Sequence, residues 1–533
     1  MQGLMQRRDL LISSILEHAA RHHGAGEVVS RREDGILSRT TYAVLARRAR
    51  KLATVLRELG VAPGDRVGTL GMNSDRHFEL YYGISGVGAV CNTINPRLAP
   101  DDIAYIIGHA GDGIVFADPV FLPILQAIAP QLTDTLRGVV VLGEGACDLP
   151  PGMALHRYEA LMDAAGEGEE WPVFDENTAS ALCYTSGTTG RPKGVLYSNR
   201  STVLCAMALA AADAVGPRAT DRILAVVPMF HVNAWGLPYM APMTGASLLM
   251  PGRQLDPASL LSLMNGERAT IAVGVPTIWL GLLGYLRDTG RRLETLQRIF
   301  VGGAAMPRAL IAAYNELGIA VCHAWGMTES SPIVTVNAPK PGTEDLDHDA
   351  LLDQRAAQGR CVFGVDVRAE GEDGNEVPWD GVSQGQLTFR GHWIASGYFR
   401  MPDQDASGWF PTGDVGVIDP HGFVTLTDRS KDLIKSGGEW ISSIAIENIA
   451  VAHPHVAEAA AIAVPHEKWG ERPLLIVVPR PGCAPSCEAL REFYRGKLPA
   501  WSIPDSVLVV DSIPHGATGK ILKAELRRLY ANG

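Results

Sequence analysis

The chain is poor in cysteine and contains no long apolar run. Eight cysteines are scattered over 533 residues, which is too few for a disulfide-stabilised scaffold, and no set of cysteines and histidines has the spacing of zinc ligands. This usage is typical of reduced thiols and predicts a cytoplasmic location. The longest mildly apolar run, residues 203–212, is shorter than a membrane-spanning helix. We therefore expect no transmembrane segment, while weak association with a membrane surface stays open.

An excess of positive charge is also missing. Lysine and arginine total 47 against 58 aspartate and glutamate residues, which gives a formal net charge of −11. An acidic chain lacks the basic surface that nucleic-acid-binding proteins share, so we expect no nucleic-acid partner. Apolar residues make up 46% and charged residues 20%, which excludes a mostly disordered or collagen-like chain. The length favours more than one domain.

Short apolar segments alternate with helical ones over the first two thirds of the chain. Residues 66–70 and 113–117 have the pattern of strands, and residues 75–90 have that of a helix. Thr40 is the expected N-cap of another helix, which runs to Leu59. This alternation predicts a parallel α/β core.

The alternation of strand-like and helical segments ends near residue 355. Short strands broken by turn residues predict a β-rich subdomain over about residues 355–428. A domain boundary is expected between residues 428 and 429. We therefore predict a large N-terminal domain, residues 1–428, and a small α+β C-terminal domain, residues 429–533.

The strongest local pattern is a loop rich in hydroxyl groups and glycine, residues 184–194. Apolar residues precede and follow it, so we expect it to join two strands. Its hydroxyls and backbone amides can surround phosphate oxygens, and its lysine adds a positive charge. Arg191 and Pro192 separate that lysine from the preceding glycine, so the spacing is not that of a Walker A loop. The expected phosphate contacts are Thr185, Ser186, Gly187, Thr188, Thr189, Gly190 and Lys193.

The loop resembles the signature loop of the adenylate-forming enzymes, which include acyl-CoA synthetases, amino-acid adenylation domains and beetle luciferases. Later motifs of that family have counterparts in the same order, at residues 228–231, 325–329, 412–414, 428–439 and 518–520. Each short motif is weak evidence alone, but the series covers nearly the whole chain and is specific in its order and spacing. The resemblance implies an α/β and β-rich N-terminal adenylation domain followed by a small α+β lid. Two departures, Gln386 and Ala445, replace residues that are often acidic, and their effect stays open.

The resemblance implies an acyl-CoA ligase that works in two steps. The carboxylate of an acid attacks the α-phosphate of ATP, giving an acyl-adenylate and pyrophosphate, and the thiol of coenzyme A then displaces AMP. The first step brings two anions together, so positive charge has to converge on the site. The resemblance assigns Lys520 to bridge the two groups, and it assigns Glu329 and Thr185 to Mg²⁺, which prefers oxygen ligands. ATP and coenzyme A are the expected co-substrates.

Other residues are implied as contacts of the nucleotide. Thr328 is expected at the phosphates, and the Asp414 carboxylate can accept hydrogen bonds from both ribose hydroxyls. Trp325 offers a flat face to the adenine, while glycines allow the segment 302–304 to approach the base closely. Taken alone, a turn aspartate or a single tryptophan is more often structural. The further contacts that the resemblance implies are Gly302, Gly303, Ala304, His323, Ala324, Gly326, Val232, Arg429, Lys431, Lys435 and Trp440.

The resemblance also implies that the small domain moves. Lys520 and the thiol of coenzyme A both need the region of the acyl carbonyl, so they cannot occupy it together. We expect the lid to turn about a hinge at Arg429 and Lys431 between the two steps, with Lys435 serving the second step. Related fatty-acid ligases are often homodimers, and we expect a homodimer here.

The acyl pocket is expected around His231, at the end of an apolar strand. In the resembling enzymes this position lies beside the reacting carboxylate, which is already ionised near neutral pH and needs no general base. We therefore assign His231 to positioning. The apolar stretch 232–238 is similar to the fatty acyl-CoA synthetase branch, so Val232 and Trp235 are expected to line the pocket of a medium- or long-chain fatty acid. Short-chain, thioether and aryl acids remain alternatives.

Two functions from other classes stay open. A non-catalytic nucleotide-binding protein could share the fold, although Lys520, Glu329 and Asp414 are all present. A luciferase-type oxidoreductase would share the adenylation step and then use oxygen. The sequence motifs do not distinguish a luciferase-type oxidoreductase from an acyl-CoA ligase, because both functions share the adenylation step.

Overall fold

The computed structural model describes residues 1, 3–185, 191–343, 345–402, 408–437, 439–516 and 520–531. Its strands are β1 Glu27–Arg31, β2 Leu37–Thr41, β3 Arg66–Leu70, β4 Val90–Thr93, β5 Asp112–Ala117, β6 Gly138–Val141, β7 Ala154–Arg157, β8 Ala179–Tyr184, β9 Gly194–Ser198, β10 Arg222–Ala225, β11 Ser247–Met250, β12 Ile271–Gly274, β13 Arg298–Val301, β14 Ala320–Trp325, β15 Thr335–Val336, β16 Arg360–Cys361, β17 Val365–Glu370, β18 Gly385–Gly391, β19 Phe410–Ile418, β20 Val424–Arg429, β21 Ile434–Ser436, β22 Glu439–Ile441, β23 Val456–His466, β24 Gly470–Pro479 and β25 Ser506–Val509.

The helices are α1 Ile12–His22, α2 Tyr42–Glu58, α3 Asp75–Gly86, α4 Pro100–Ala110, α5 Leu122–Ile128, α6 Tyr158–Ala164, α7 Asn199–Ala210, α8 Val232–Trp235, α9 Leu237–Thr244, α10 Pro257–Gly266, α11 Pro276–Thr289, α12 Arg308–Glu316, α13 His348–Ala356, α14 Ser443–Val451, α15 Cys487–Phe493 and α16 Lys523–Tyr530. Of these, α8 is a single left-handed turn. Within the described ranges, no helix has the length and apolar character that a membrane span requires.

Two mostly parallel sheets form the core of the large N-terminal part. The first has seven strands in the order β7-β6-β5-β3-β4-β8-β9, and the second has nine in the order β16-β15-β14-β13-β12-β10-β11-β1-β2. Central strands such as β6 and β12 are short and buried along their whole length. This burial is typical of parallel strands that helices cover on both faces. The predicted α/β core is therefore confirmed.

The other two sheets lie further along the chain and are largely antiparallel. Strands β17-β18-β19-β20 form a four-stranded antiparallel sheet that follows the α/β core. The last sheet has the order β22-β21-β24-β23, with β25 beside β24, and α14 and α16 contact β23. These units agree with the predicted β-rich part and the small α+β unit. The domain boundary between residues 428 and 429 stays a prediction.

Some helix ends differ from the expectation. The helix expected at residues 75–90 ends early, because Gly88 adopts a φ of +76° and turns the chain into β4. The helix expected to start from Thr40 begins at Tyr42 instead, because the N-cap is Thr41. In both cases a local turn or cap, and not the apolar pattern, sets the end of the helix.

The carboxyl ends of three strands carry the segments that are predicted to bind the nucleotide. β8 ends directly before the glycine-rich loop, β13 ends directly before residues 302–304, and β14 ends at Trp325. In open α/β sheets, ligands bind outside the carboxyl ends of parallel strands. The topology therefore places all three segments where a ligand is expected.

Candidate active site

The glycine-rich loop that is predicted to bind phosphate is closed at its base by two hydrogen bonds. It connects β8 and β9, which pair in antiparallel orientation. The backbone N–H of Thr185 donates to the Lys193 carbonyl (2.9 Å), and the Thr185 hydroxyl accepts from the Lys193 N–H (3.3 Å). Lys193 Nζ lies 4.8 Å from the centre of the Tyr398 ring. The predicted contacts of Ser186, Gly187, Thr188, Thr189 and Gly190 fall outside the described residues.

Glu329 is held in a buried position close to this loop. It lies in the turn after β14 and is 4% exposed. Its Oε1 accepts a hydrogen bond from the Tyr398 hydroxyl (2.6 Å), and the neighbouring Thr328 carbonyl accepts one from the Tyr197 hydroxyl (2.6 Å). Tyr398 therefore connects Glu329 with Lys193. No sequence motif pointed to Tyr398, because it lies outside every motif and 69 residues from Glu329.

The carboxylate of Glu329 is suited to an Mg²⁺ ion. In the described part of the chain it forms no ion pair with lysine or arginine, so its charge is left for a cation. No group of three or more His, Cys, Asp or Glu residues among those described could hold a metal. Mg²⁺ commonly takes one or two protein oxygens and completes its shell with phosphates and water. Glu329 and the Thr185 hydroxyl fit that use.

Asp414 is oriented by two side chains. It lies in β19 and is 3% exposed. Its Oδ2 accepts a hydrogen bond from Trp325 Nε1–H (3.0 Å), and its Oδ1 lies 3.0 Å from Arg429 Nε. A carboxylate offers about four lone-pair sites, so both oxygens can still accept ribose hydroxyls. Trp325 is itself buried against Phe389, so it positions Asp414, and its stacking on adenine stays a prediction.

Lys520 reaches these residues from the C-terminal part of the chain. A methyl group added at Gly303 would lie 3.7 Å from Lys520 Cε. Burial, followed by the charge of Arg429, lowers the pKa of Lys520 to about 8, although the carboxylates of Asp414 and Glu329 oppose this shift. The structure thus brings the predicted bridging lysine to the residues that are predicted to hold adenine, ribose and Mg²⁺.

His231 lies near Lys520. The expectation that it ends a strand was wrong, because β10 already ends at Ala225 and His231 directly precedes α8. Burial lowers the pKa of His231 to about 3, and the positive charge of Lys520 contributes to the lowering. The ring is therefore neutral near neutral pH. This state agrees with positioning an anion by a hydrogen bond rather than with proton transfer.

The predicted adenine segment is tied to the neighbouring strand. His323 is buried in β14, and its ring nitrogens lie 2.9 Å and 3.4 Å from the carbonyl oxygens of Ala356 and Ala304. Ala324, next in the strand, pairs with β15. Gly326 has no room for a side chain, because a methyl group there would lie 1.7 Å from a backbone oxygen. These residues shape the site through the backbone, and their direct contacts with a nucleotide stay predictions.

A left-handed turn follows His231. All four residues of α8 have φ between 45° and 54°, and Gly236 continues with a φ of 75°. Left-handed residues with a Cβ cost roughly 1–2 kcal/mol each, so neighbouring groups must hold the turn. Asn233 Oδ1 accepts a hydrogen bond from the Cys183 thiol (3.3 Å). The sequence pattern did not point to Asn233 and Cys183, since a run without glycine before residue 236 does not indicate a left-handed backbone.

The turn sets Trp235 against the predicted adenine segment. A methyl group added at Gly302 would lie 3.1 Å from Trp235 Cη2, and one at Gly303 would lie 3.8 Å from Trp235 Cζ2. The turn also borders a cavity of about 10 Å³, whose wall includes Val232 and Tyr239. That volume is close to the smallest that holds a water molecule. The three residues predicted for the acyl pocket therefore lie along one short segment, between the nucleotide site and this cavity.

Lys435 and Trp440 are kept away from the other predicted residues. They face each other across the β21–β22 hairpin, with Lys435 Nζ 4.4 Å from the centre of the Trp440 ring. Lys435 is exposed, and its backbone N–H donates to the Glu471 carboxylate (2.8 Å). Among the residues that the structure describes, neither side chain forms a hydrogen bond, ion pair or ring contact with Lys520, Glu329 or Asp414. The small C-terminal unit therefore places Lys520, and not Lys435, next to the other predicted site residues.

The expected hinge lies where β20 leaves the four-stranded sheet. Arg429 ends β20 and pairs with Asp414. Burial lowers the pKa of Lys431. Between these two residues, the Ser430 hydroxyl donates to Gln386 Oε1 (2.7 Å). The uncharged side chain at position 386 thus makes a hydrogen bond to the hinge segment.

Two family models match this sequence, each over a different part of the chain. Residues 16–399 match the model of the AMP-binding enzyme, and residues 445–520 match that of the AMP-binding enzyme C-terminal domain. The chain belongs to the AMP-binding enzyme family. The resemblance to adenylate-forming enzymes that the motifs indicated is therefore confirmed for this AMP-binding enzyme.

Relatives of this AMP-binding enzyme carry the names of CoA ligases. It is 50% identical to the 3-methylmercaptopropionyl-CoA ligase of Ruegeria lacuscaerulensis, over 99% of this chain and 98% of the relative. It is 47% identical to the medium-chain-fatty-acid–CoA ligase of Ectopseudomonas oleovorans, over 100% of this chain and 98% of the relative. The crystal structure of an anthranilate CoA ligase with anthranoyl-AMP matches it with a TM-score of 0.88 at 25% identity, covering 99% of both chains. The predicted fold is confirmed by this likeness.

Proposed function

We propose that this AMP-binding enzyme is an ATP-dependent acyl-CoA ligase, which forms an acyl-adenylate and then transfers the acyl group to coenzyme A. The observation that carries the proposal is the position of Lys520, whose Cε would lie 3.7 Å from a methyl group at Gly303 and whose pKa responds to the charges of Arg429, Asp414 and Glu329. Adenylation needs a cation where the carboxylate meets the α-phosphate. The names of both relatives agree with this class of ligase.

In the first step, the residues of the chain bring two anions together. Asp414 holds the ribose, and Lys520 supplies positive charge between the carboxylate and the α-phosphate. The neutral ring of His231 donates a hydrogen bond to the carboxylate, and no proton has to leave the acid because it is already ionised near neutral pH. Glu329 and Thr185 would hold Mg²⁺, which when bound neutralises part of the phosphate charge.

The second step needs a different arrangement of the lid. The thiol of coenzyme A must approach the acyl carbonyl from the region that Lys520 occupies, so the small domain has to turn. Lys435 is exposed on the hairpin of the lid, where it is free to serve the second arrangement. The hinge that we propose for this motion is the segment from Arg429 to Lys431.

The acid is proposed to be aliphatic and largely apolar. The apolar stretch around Trp235 and the relative from Ectopseudomonas oleovorans support a medium-chain fatty acid. A short thioether acid is the second candidate. It is favoured by the relative at 50% identity and by the small size of the cavity beside α8, which has no room for a long acyl chain.

A panel of acids tests this proposal. The purified protein receives MgATP and one of acetate, butanoate, 3-(methylthio)propanoate, octanoate, palmitate or coumarate, and AMP release is measured with and without coenzyme A. We expect release to require both the acid and coenzyme A. Oxygen uptake or light emission with ATP would point to a luciferase-type oxidoreductase. Binding of ATP without turnover of any acid would favour a non-catalytic nucleotide-binding protein.

A further inference from the structure

One of the residues that line the cavity beside the α8 turn carries a buried hydroxyl without a partner among the described residues. Tyr239, in the first turn of α9, lines the cavity and is 2% exposed. Its hydroxyl has no hydrogen-bond partner among the described residues. The neighbouring Tyr82, by contrast, donates its hydroxyl to the Pro238 carbonyl (2.7 Å). Leaving a buried polar group without a hydrogen-bond partner costs about 1–3 kcal/mol of desolvation free energy. A ligand in the cavity that accepts a hydrogen bond from Tyr239 would offset this cost.

Two other polar groups of the wall are already engaged. The Tyr197 hydroxyl donates to the Thr328 carbonyl (2.6 Å), and the Cys205 thiol donates to the Ser331 carbonyl (2.9 Å). Both donors bind the backbone next to Glu329. Tyr239 is therefore the tyrosine of this wall that is left to donate to a ligand.

The rest of the wall suits a small, polarisable group. Cys205 contributes sulfur, and Ala206, Val232 and Gly236 contribute aliphatic or backbone surface. Thioether sulfur is polarisable and makes favourable contacts with aromatic rings. A cavity of about 10 Å³ has room for one group of about the size of a water molecule or a terminal methyl, and it excludes a row of methylene groups.

We propose that Tyr239 is a specificity-determining residue, which donates a hydrogen bond to the thioether sulfur of a short acid. A thioether is a weak acceptor, whereas a methylene group at the same place leaves the hydroxyl unpaired and its desolvation uncompensated. The inference rests on the proposed CoA ligase function and selects between its two candidate acids. The relative at 50% identity bears the name of a ligase for such an acid.

The test compares two acids that differ in one position of the chain. In 3-(methylthio)propanoate a sulfur atom stands where pentanoate has a methylene group. Wild type is expected to prefer the thioether acid in kcat/KM, and Tyr239→Phe is expected to lose about five- to tenfold of that preference. The loss should fall on the thioether acid, with KM for ATP unchanged. An unchanged preference, or equal losses with both acids, overturns the proposal.

Tyr82→Phe is the matched control. Its ring lies 6.0 Å from that of Tyr239, but its hydroxyl is paired, so we expect a lower Tm and an unchanged preference. Tyr239→Phe should keep or raise the Tm of the ligand-free protein, because it removes an unpaired hydroxyl. A lowered Tm would mean that the hydroxyl binds a structural water, which overturns the proposal. Failure of both acids to give CoA-dependent AMP release in wild type would instead contradict the proposed function.

Discussion

A lysine on a protein surface keeps its charge up to a pH above 10, and Lys520 does not. Burial and the nearby Arg429 lower its pKa to about 8. The protonated form, which carries the charge that adenylation needs, is therefore lost as the pH rises through that value. The protonation state of Lys520 near pH 8 therefore depends on its burial and on its distance from Arg429.

We predict that kcat/KM for ATP in acyl-adenylate formation falls as the pH rises through about 8, since this ratio reports the free enzyme. Lys520→Arg should remove this fall, because an arginine stays charged throughout. Pyrophosphate release against pH measures both profiles. The control, Lys520→Ala, should lose ~10²–10³ of the rate below pH 8, where the wild-type lysine is charged, while still converting supplied acyl-adenylate to thioester. The same alkaline fall in Lys520→Arg would assign it to another group.

Glu329 gives a second prediction for a single residue. Glu329→Gln removes the charge that is proposed to hold Mg²⁺, so the Mg²⁺ concentration for half-maximal adenylation should rise at least about tenfold. Tyr398→Phe removes only the hydrogen bond to Oε1 and should raise it less. A magnesium titration of pyrophosphate release compares the variants. An unchanged midpoint in Glu329→Gln would remove Glu329 from the metal site.

Among the secondary-structure elements, α8 departs most from ordinary geometry. It is left-handed at four residues that all carry a Cβ, and the bond from the Cys183 thiol to Asn233 helps to hold it. The turn fixes where Trp235 lies relative to Gly302. Strained backbone of this kind tends to occur at functional sites, and here it lies between His231 and the cavity.

We predict that Asn233→Ala lowers the free energy of unfolding by about 1–2 kcal/mol. The change places a residue that tolerates the left-handed region poorly and removes the partner of the Cys183 thiol. Asn233→Gly loses the same hydrogen bond but tolerates the backbone conformation, so it should destabilise less. Urea denaturation measures both. Equal losses in the two variants would mean that backbone strain plays no part.

In the protein as a whole, polar contacts lie on both sides of the proposed hinge. Asp428 Oδ2 accepts hydrogen bonds from the backbone N–H and the hydroxyl of Ser443 (both 2.6 Å). Within the lid, Lys523 pairs with Glu447 (2.7 Å). Since Asp428 belongs to β20 and Ser443 to the start of α14, a turn of the lid has to break the Asp428–Ser443 bonds. The homodimer and the cytoplasmic location stay predictions.

We predict that Lys431→Pro separates the two half-reactions. Proline fixes φ near −65° and removes one amide donor, so it should hinder the turn of the lid. Adenylation should survive, and thioester formation from supplied acyl-adenylate should fall by at least about 10²-fold, or roughly 2.7 kcal/mol of barrier.

Lys431→Ala is the control for this change, because it removes the side chain but leaves the backbone free. It should retain thioester formation better than Lys431→Pro. Equal losses of both half-reactions in the proline variant would indicate misfolding, and no loss in either would place the hinge elsewhere.

Patterns along the chain were enough to predict the α/β core and much of the proposed site. The alternation of strand-like and helical segments depends on residues that are close in sequence, and so does a motif. Glu329, Asp414 and Lys520 could thus be named from motifs, and the structure brings them together. The end of the helix expected at residues 75–90 was wrong, because one glycine outweighs a continuing apolar pattern.

Other features of the proposed site depend on packing between segments that are far apart in the sequence. Tyr398 lies 69 residues from Glu329, and Cys183 lies 50 residues from Asn233. The left-handed backbone of α8 opposes the preference of its own residues, and the pKa of Lys520 follows from burial against another part of the chain. A motif records order along the sequence, whereas burial, strain and an unpaired hydroxyl such as that of Tyr239 arise only when distant segments meet.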